Sequence, residues 1–301
     1  MLPIKESVEV IKSSCGLRLP YRSHEYALSY SATIESRSDV GVALFMRDIE
    51  HVGLKDGCLP WPYVDITEKE VEALFHNFSD LVSITGVLAP SLNQPLMSFD
   101  MAEIVPFKPH YIFDPELGSI NLSRKSRSNL ASGGRVWKPF DASSPEGWIA
   151  FTALYNELVK RRNLIGGTFD YGSKHFYKLS KLPWMTIFGV RNDSGWGAMA
   201  CGAICGSELH LLHIVVGDDG LTSNASYVLM DEIVRHCVVN NIKLFLGGVP
   251  GSGDEGVLRF KVRWSNTTLS SWLLKMVIQP EVYKTLAVPG NSFFPAYRFA
   301  N

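Results

Sequence analysis

The stretch GGVPGSGDEGVLRFKVRW, residues 247–264, is the most informative segment of this 301-residue chain. It follows a short apolar run, Ile242–Leu246, which predicts a buried strand, and its second half predicts a helix over Glu255–Trp264. The glycines between them allow a tight turn in which the backbone can approach a ligand closely. The turn is therefore expected either to face a substrate or to serve only as a strand-to-helix connection.

Gly251, Gly253 and Gly256 have the G-x-G-x-x-G spacing of dinucleotide-binding folds. That fingerprint opens a doubly wound sheet, whereas only 45 residues follow it here. Asp254 and Glu255 also stand where a pyrophosphate would approach. We therefore reject the dinucleotide interpretation. A nucleotide-dependent oxidoreductase would rest on this glycine spacing alone.

Three cations follow within five residues, Arg259, Lys261 and Arg263. Lys261 and Arg263 are two residues apart and cannot share one helical face, so one can point into a site while another is solvated. A fixed cation near a reacting carbonyl would stabilise a developing oxyanion. A solvated helix face is the alternative interpretation.

Length and composition limit the remaining possibilities. A chain of 301 residues predicts two domains, and we place the boundary after the basic run, giving domains 1–140 and 141–301. A net charge of −1 gives no global attraction to nucleic acid or to an anionic membrane. The start of the chain lacks the apolar run of a signal peptide, and no apolar stretch is long enough to span a membrane, so we expect a cytoplasmic protein with reduced cysteines.

Strand and helix patterns alternate along the chain, which predicts a mixed α/β sheet. In the first half the predicted elements are a strand Val8–Ser14, a helix His24–Arg37, a strand Val40–Asp48, a helix from a capping box at Thr67 and Glu70 to about Val82, a strand Ile84–Leu88 and a basic helix from Ser123 to about Ser132, stopped by Gly133 and Gly134. In the second half they are a helix Ser144–Asn163, strands Trp184–Arg191, Trp196–Cys205 and Glu208–Val216, a helix Ser223–Asn240, a strand Ser271–Ile278 and a helix Pro280–Leu286. The helix after Glu208–Val216 should make that strand parallel to Ile242–Leu246.

Leu246–Gly248, the turn Gly251–Gly253 and Leu258–Trp264 resemble the C-terminal signature of FemAB-like acyltransferases and their GNAT-like relatives. Tyr111–Gly134 is similar to the linker of that family, and Pro60–Tyr63 to its Pro-Tyr element. The resemblance implies two tandem GNAT-like domains. It also implies transfer of an acyl or aminoacyl group, from aminoacyl-tRNA or an acyl-CoA, to a small-molecule or peptide amine held between the halves. The donor would be a co-substrate, with no tightly bound cofactor.

The same resemblance implies roles for particular residues. Lys261, with Phe260 beside it, would line the transfer site, while Tyr63 and Asp65 would face the acceptor, with Asp65 as a possible base. The remaining predicted substrate contacts are Arg259, Gly248, Gly251, Gly253, Lys125 and Arg127.

The basic run at residues 124–138 contains five cations and no acid. It predicts either a solvated helix face or a patch that contacts phosphates of tRNA or of a nucleotide-linked acceptor. Trp137, within the run, is compatible with base stacking.

The loop before the helix Ser223–Asn240 departs from the pattern of an acetyl-CoA enzyme. This loop carries Asp218 and Asp219 and no cation, so it should repel a diphosphate. The departure also leaves open a non-catalytic ligand-binding module.

No metal site is expected, because Cys201 and Cys205 lie about 13 Å apart along a strand and His210 and His213 point to opposite faces. The small residues of the strand at 196–206 allow either a slot for an acyl group or close packing.

Overall fold

The computed structural model describes residues 19–30, 33–35, 41–91, 102–167, 169–249 and 255–298. The strands in this part of the chain are β1 (Thr33–Glu35), β2 (Leu44–Ile49), β3 (Leu54–Cys58), β4 (Ser83–Ser91), β5 (Ala102–Phe113), β6 (Lys138–Asp141), β7 (Met185–Asn192), β8 (Gly195–Cys205), β9 (Glu208–Val216), β10 (Lys243–Gly248) and β11 (Thr267–Val277). The helices are α1 (His24–Ala27), α2 (Glu68–Asn77), α3 (Arg124–Val136), α4 (Pro145–Arg161), α5 (Ser173–Leu179), α6 (Asp218–Thr222), α7 (Ala225–Asn240), α8 (Glu255–Arg263) and α9 (Pro280–Leu286). None of these helices combines the length and the apolar character needed to cross a bilayer.

The described residues divide into two compact units, the first made of 19–109 with 269–298 and the second of 110–268. This division differs from the boundary predicted after residue 140. Strand pairing explains part of the difference, because β11 pairs antiparallel with β4 and so returns the end of the chain to the first unit. Helix packing explains the rest, because α3 packs against α7 and so places the linker in the second unit.

The first unit is a sheet in the order β1-β2-β3-β4-β11, with β3 and β4 parallel and the other neighbours antiparallel. The capping box predicted at Thr67 and Glu70 is confirmed, and its helix α2 covers the sheet between β3 and β4, ending at Asn77 rather than near Val82. In the middle of β3 the fully buried carboxylate of Asp56 accepts hydrogen bonds from Arg47 Nε at 2.8 Å and Arg298 Nε at 2.6 Å. These ion pairs fasten the C-terminal segment to the sheet.

The second unit is a sheet in the order β6-β7-β8-β9-β10-β5. Only β9 and β10 are parallel among its paired strands in the described residues, and α7 connects them as predicted. A mixed α/β sheet in each unit confirms the predicted fold class. The predicted elements did not include β6, which is exposed throughout, or the short helices α5 and α6.

Helix α3 continues through the two glycines that were expected to stop it and ends at Val136. Gly133 lies where α3 crosses the start of α7, and a Cβ at this position would lie 2.7 Å from the carbonyl oxygen of Asn224. The prediction was wrong because this glycine allows close helix packing rather than ending the helix.

The predicted helix His24–Arg37 is also wrong, since α1 ends at Ala27 and Thr33–Glu35 forms β1. Ile34 pairs with Phe45 of β2 and packs on the cluster that contains Ala27 and Phe45. Tertiary pairing therefore overrides the local helical pattern. The strand predicted at Val8–Ser14 lies outside the described residues.

The small residues of β8 serve close packing. A Cβ at Gly197 would lie 2.6 Å from the ring of Trp137, and one at Gly202 would lie 2.6 Å from the carbonyl oxygen of His210. Trp137 is buried there, and its indole N–H donates a hydrogen bond to Ser223 Oγ at 2.9 Å. These glycines therefore allow the neighbouring groups to pack closely in the interior of the unit, rather than leaving a slot for an acyl group.

Candidate active site

The parallel strands of the second unit separate part-way along their length. β10 pairs with β9 over Lys243–Phe245 and Glu208–His210, and the pairing does not extend to the carboxyl ends of the two strands. Beyond this point β10 continues beside β5, with a bulge between Phe245 and Gly247. The carboxyl-terminal halves of β9 and β10 therefore border a gap in the sheet.

A cavity of about 440 Å³ lies at this gap, a size typical of small-molecule sites. Its walls are mainly apolar, with three cations, one hydroxyl and, among the described residues, no carboxylate. The lining residues are Leu158, Arg161, Arg162, Leu211, Leu212, Ile214, Val216, Leu221, Ser226, Leu246, Gly256, Val257, Phe260 and Lys261. The structure thus brings Phe260 and Lys261, both predicted site residues, to one cavity.

Lys261 is held at the carboxyl end of β10. Its ammonium donates a hydrogen bond to the carbonyl oxygen of Gly248. The neighbouring Gly247 has a φ of +76°, a conformation that favours glycine, and a Cβ there would lie 3.4 Å from Lys261 Nζ. The end of the strand therefore positions the ammonium in the cavity wall.

Helix α8 distributes its cations over different faces. Lys261 lines the cavity, whereas Arg259 is exposed and forms an ion pair with Glu255 at 3.1 Å. The guanidinium of Arg263 lies 5.0 Å from the ring centroid of Tyr227. Arg259, a predicted substrate contact, is thus not among the residues that line the cavity.

Two further cations, Arg161 and Arg162, reach the cavity from the end of α4. This helix begins at the N-cap Ser144, with Pro145 in its first turn, and runs far enough to carry both arginines to the end of β9. Arg161 donates to the carbonyl oxygen of Val216 at 2.9 Å. Sequence reasoning missed both residues because they lie about a hundred positions before Lys261; the only local signal is a basic cluster at a helix end.

The acidic loop after β9 differs from what was expected. Asp218 starts the short helix α6, and its exposed carboxylate pairs with Arg161 at 2.6 Å. The expected repulsion of a diphosphate is therefore offset in part by a cation that comes from another helix.

Tyr63 and Asp65 belong to the first unit. Tyr63 is buried and packs edge-on against Tyr21, with ring centroids 5.9 Å apart. Asp65 accepts a hydrogen bond from the backbone N–H of Leu19 at 2.8 Å, and its carboxylate lies 3.6 Å from Arg22. These contacts give both side chains a structural role within their own unit.

Lys125 and Arg127 are exposed on α3, and no carboxylate pairs with either in the described part of the chain. They are not among the residues that line the cavity. Trp137 is buried and hydrogen-bonded, so the base stacking considered for it does not fit its position. Gly251 and Gly253 lie outside the described residues.

An aromatic cluster surrounds His213 of β9. Its ring packs edge-on against Tyr155 and Phe176, with centroids 5.4 and 5.6 Å away. Burial, with a smaller contribution from His175, lowers the pKa of His213 to about 3. Burial also raises the pKa of the thiol of Cys201, which lies opposite on β8. Both groups are therefore neutral near pH 7, and Cys201 lacks the thiolate character of a nucleophile.

His, Cys, Asp and Glu side chains in the described ranges do not form any group of three or more that could hold a metal ion. His210 instead shares a hydrogen bond with Glu208, Nε2 to Oε2 at 2.8 Å.

Known proteins resemble this chain in structure. No family model and no curated protein matches its sequence. FemX has 12% sequence identity, with 95% of this chain and 98% of FemX covered at a TM-score of 0.62. The C-terminal domain of a putative lysylphosphatidylglycerol synthetase from Agrobacterium fabrum has 12% identity, with 90% and 91% covered at a TM-score of 0.60. L-PGS from Bacillus licheniformis has 11% identity, with 92% of each chain covered at a TM-score of 0.56.

The chain therefore has the fold of FemX, and the FemAB-like, GNAT-type fold expected from residues 247–264 is confirmed. At 11–12% identity the likeness establishes the fold alone.

Proposed function

We propose that this protein is an acyltransferase that moves an acyl or aminoacyl group from a donor ester or thioester to an amine. The observation that carries the proposal is the position of Lys261, whose ammonium is fixed beside Gly248 in the wall of a cavity bordered by separated parallel strands. The fold neighbours are consistent with it, since one of them is the C-terminal domain of a putative lysylphosphatidylglycerol synthetase. The donor, an aminoacyl-tRNA or an acyl-CoA, acts as co-substrate, and no tightly bound cofactor is required.

The reaction follows from the placement of the cation. The lone pair of a neutral acceptor amine attacks the donor carbonyl, a C–N bond forms, and the carbonyl oxygen becomes negative. Lys261 stabilises this oxyanion, and its hydrogen bond to Gly248 keeps the ammonium in place before the charge develops. Collapse of the intermediate expels the alcohol or thiol, which takes up the proton that the amine loses. We assign no protein base, because the carboxylate of Asp65 is engaged with Leu19 and Arg22.

Replacement of Lys261 tests the proposal. Lys261→Met keeps an unbranched side chain, one atom shorter, and removes its charge, and we expect kcat to fall by roughly 10²–10³, the usual effect of losing one oxyanion donor. Lys243→Met is the matched control, because Lys243 lies at the opposite end of β10. In the described ranges, Asp114 is the only carboxylate within ion-pair distance of Lys243. Product formation from aminoacyl-tRNA mixtures and acyl-CoAs, with amine acceptors, would be followed by mass spectrometry. Full activity of Lys261→Met would exclude this role.

A non-catalytic ligand-binding module is the second candidate. The loop at residues 217–222 forms α6 and has two acidic residues in its first turn, which should repel the diphosphate of an acyl-CoA donor. Thermal-shift measurements with acetyl-CoA, longer acyl-CoAs and aminoacyl-tRNA distinguish the two. Binding with no product from any acceptor supports the module, and turnover that depends on Lys261 excludes it.

The exposed cations of α3 are proposed to contact tRNA phosphates if the donor is aminoacyl-tRNA. The double substitution Lys125→Ala with Arg127→Ala should then weaken tRNA binding and reduce its dependence on salt. Unchanged binding would indicate a solvated helix face.

A further inference from the structure

Helix α5 has a buried inner face and a basic outer face. The buried residues are His175, Phe176 and Leu179. The outer residues have the spacing i, i+3, i+4 and i+7 of a single helical face, continued into the turn that follows α5: Lys174, Tyr177, Lys178 and Lys181. Tyr177 is 63% exposed, and Lys181 Nζ lies 4.9 Å from the centroid of its ring. An exposed aromatic ring therefore shares this face with three lysines.

The segment between α4 and α5 exposes two large apolar side chains. Ile165 is 69% exposed and Phe169 is 53% exposed. The hydroxyl of Tyr155 donates a hydrogen bond to the carbonyl oxygen of Phe169 at 2.8 Å, and the Tyr155 ring packs against Phe176 of α5, with centroids 4.7 Å apart. These contacts hold the segment next to α5. Exposed apolar side chains that occur together, unlike single ones, indicate an interaction surface.

The same part of the chain has an excess of positive charge. Residues 160–181 contain six cations and one acid: Lys160, Arg161, Arg162, Lys174, Lys178, Lys181 and Asp170. Counting Asp170 and also Asp218, the partner of Arg161, against these cations leaves an excess of four positive charges. The net charge of the whole chain is −1, so the excess is local. A partner of this surface should therefore be negatively charged.

We propose that α5 and the segment before it bind the surface of an anionic lipid bilayer. The lysines contact the headgroups, Tyr177 lies at the level of the headgroups, and Ile165 and Phe169 enter the outer part of the hydrocarbon region. A bilayer surface offers negative charge and apolar depth together, and binding to it grows with both. A nucleic acid matches the charge but offers no apolar environment to Ile165. This association does not depend on the proposed acyl transfer.

Vesicle cosedimentation with the full chain tests the proposal. The vesicles contain phosphatidylcholine alone, or phosphatidylcholine in equal parts with phosphatidylserine or with phosphatidylglycerol. We expect similar binding to both anionic mixtures, and binding at least about tenfold weaker to phosphatidylcholine alone. Binding should also weaken as the salt concentration rises. Absence of binding to both anionic mixtures would overturn the proposal. Binding to only one of them would also overturn it, because the protein would then recognise a headgroup and not the surface charge.

Charge removal locates the basic part of the surface. One variant removes the three lysine charges of the outer face: Lys174→Gln, Lys178→Gln and Lys181→Gln. The control removes three charges from exposed positions of α3: Arg124→Gln, Lys125→Gln and Arg127→Gln. We expect the first variant to bind anionic vesicles about a hundredfold more weakly, and the control to change binding less than about threefold. Equal losses in the two variants would show that total charge decides binding, which contradicts the assignment to α5.

The apolar part of the surface has a separate test. Ile165→Ser with Phe169→Ser should weaken vesicle binding about tenfold, and the ratio to wild type should persist at high salt because apolar contacts are not screened. Val238→Ser with Val239→Ser on α7 changes two other exposed apolar residues and should bind as wild type does. Circular dichroism and urea unfolding verify that each variant folds. Wild-type binding by the folded Ile165→Ser, Phe169→Ser protein would contradict the insertion of these side chains.

Two comparisons separate this proposal from a nucleic-acid surface and from catalysis. If the lysine variant of α5 binds tRNA more weakly in fluorescence anisotropy but binds vesicles as wild type does, the face contacts nucleic acid and the proposal is wrong. Lys261→Met should bind vesicles as wild type does, because Lys261 lines the cavity. Loss of transfer in that variant with retained vesicle binding shows that the two properties are independent.

Discussion

Two adjacent glycines of α3 should respond in opposite ways to the same substitution. A Cβ at Gly133 would meet the carbonyl oxygen of Asn224 at 2.7 Å and Cγ2 of Val228 at 2.9 Å, whereas a Cβ at Gly134 would meet nothing within 4 Å. Both residues are helical, so either change to alanine gains about 0.5–1 kcal/mol of helix propensity. Only Gly133→Ala forces α3 away from the backbone of α7.

The difference between the two variants isolates the steric cost. Helix propensity is nearly the same at the two positions and cancels, which leaves the overpacking term of about 1–3 kcal/mol. We expect Gly134→Ala to be more stable than wild type by about 0.5–1 kcal/mol. Gly133→Ala should be less stable than Gly134→Ala by about 1–3 kcal/mol.

Urea unfolding followed by tryptophan fluorescence measures both free energies, and equal m-values show that the same transition is compared. If Gly133→Ala were as stable as Gly134→Ala, α3 would not pack on α7 through Gly133. The glycines would then act as the helix stop that their sequence suggests.

Three further predictions concern buried charge, protonation and backbone strain. Asp56→Asn should lower the free energy of unfolding by about 3–5 kcal/mol, because Arg47 and Arg298 lose their buried counter-ion; a loss below about 1 kcal/mol would contradict this. The lowered pKa of His213 means that the unfolded chain binds the proton more tightly, so stability present above pH 6.5 should fall by about 2 kcal/mol between pH 7 and pH 5. His213→Gln should remove that part of the pH dependence in thermal unfolding, and an unchanged dependence would disprove the assignment. Gly247→Ala should cost about 1–2 kcal/mol in urea unfolding because of its φ of +76°, and a stability equal to wild type would show that the turn relaxes.

Several elements could be predicted from the sequence because their signals are local. The N-cap Ser144 with Pro145 starts α4, and the capping box of Thr67 and Glu70 starts α2, as predicted. Apolar patterning placed β9 and β10, and the length of α7 between them predicted their parallel pairing.

Other elements were missed or wrong because tertiary contacts decide them. Pairing of Ile34 with Phe45 turns part of a predicted helix into β1. Pairing of β11 with β4 assigns the last strand to the first unit, which no pattern at residues 267–277 indicates. The glycine pair of α3 stops a helix in solvent but permits one that packs on α7.

The candidate site shows the same division. Residues 247–264 by themselves indicated a glycine turn and a cation on one helical face, because turn and helix geometry depend on neighbours a few positions apart. The FemAB-like fold was implied by the resemblance that these residues carry. Only the tertiary structure decided that Lys261 shares a cavity with Arg161 and Arg162, and that Tyr63 and Asp65 have structural contacts. Where two strands cease to pair, and which distant side chains then line the gap, depends on packing across the whole sheet, which no short stretch of sequence encodes.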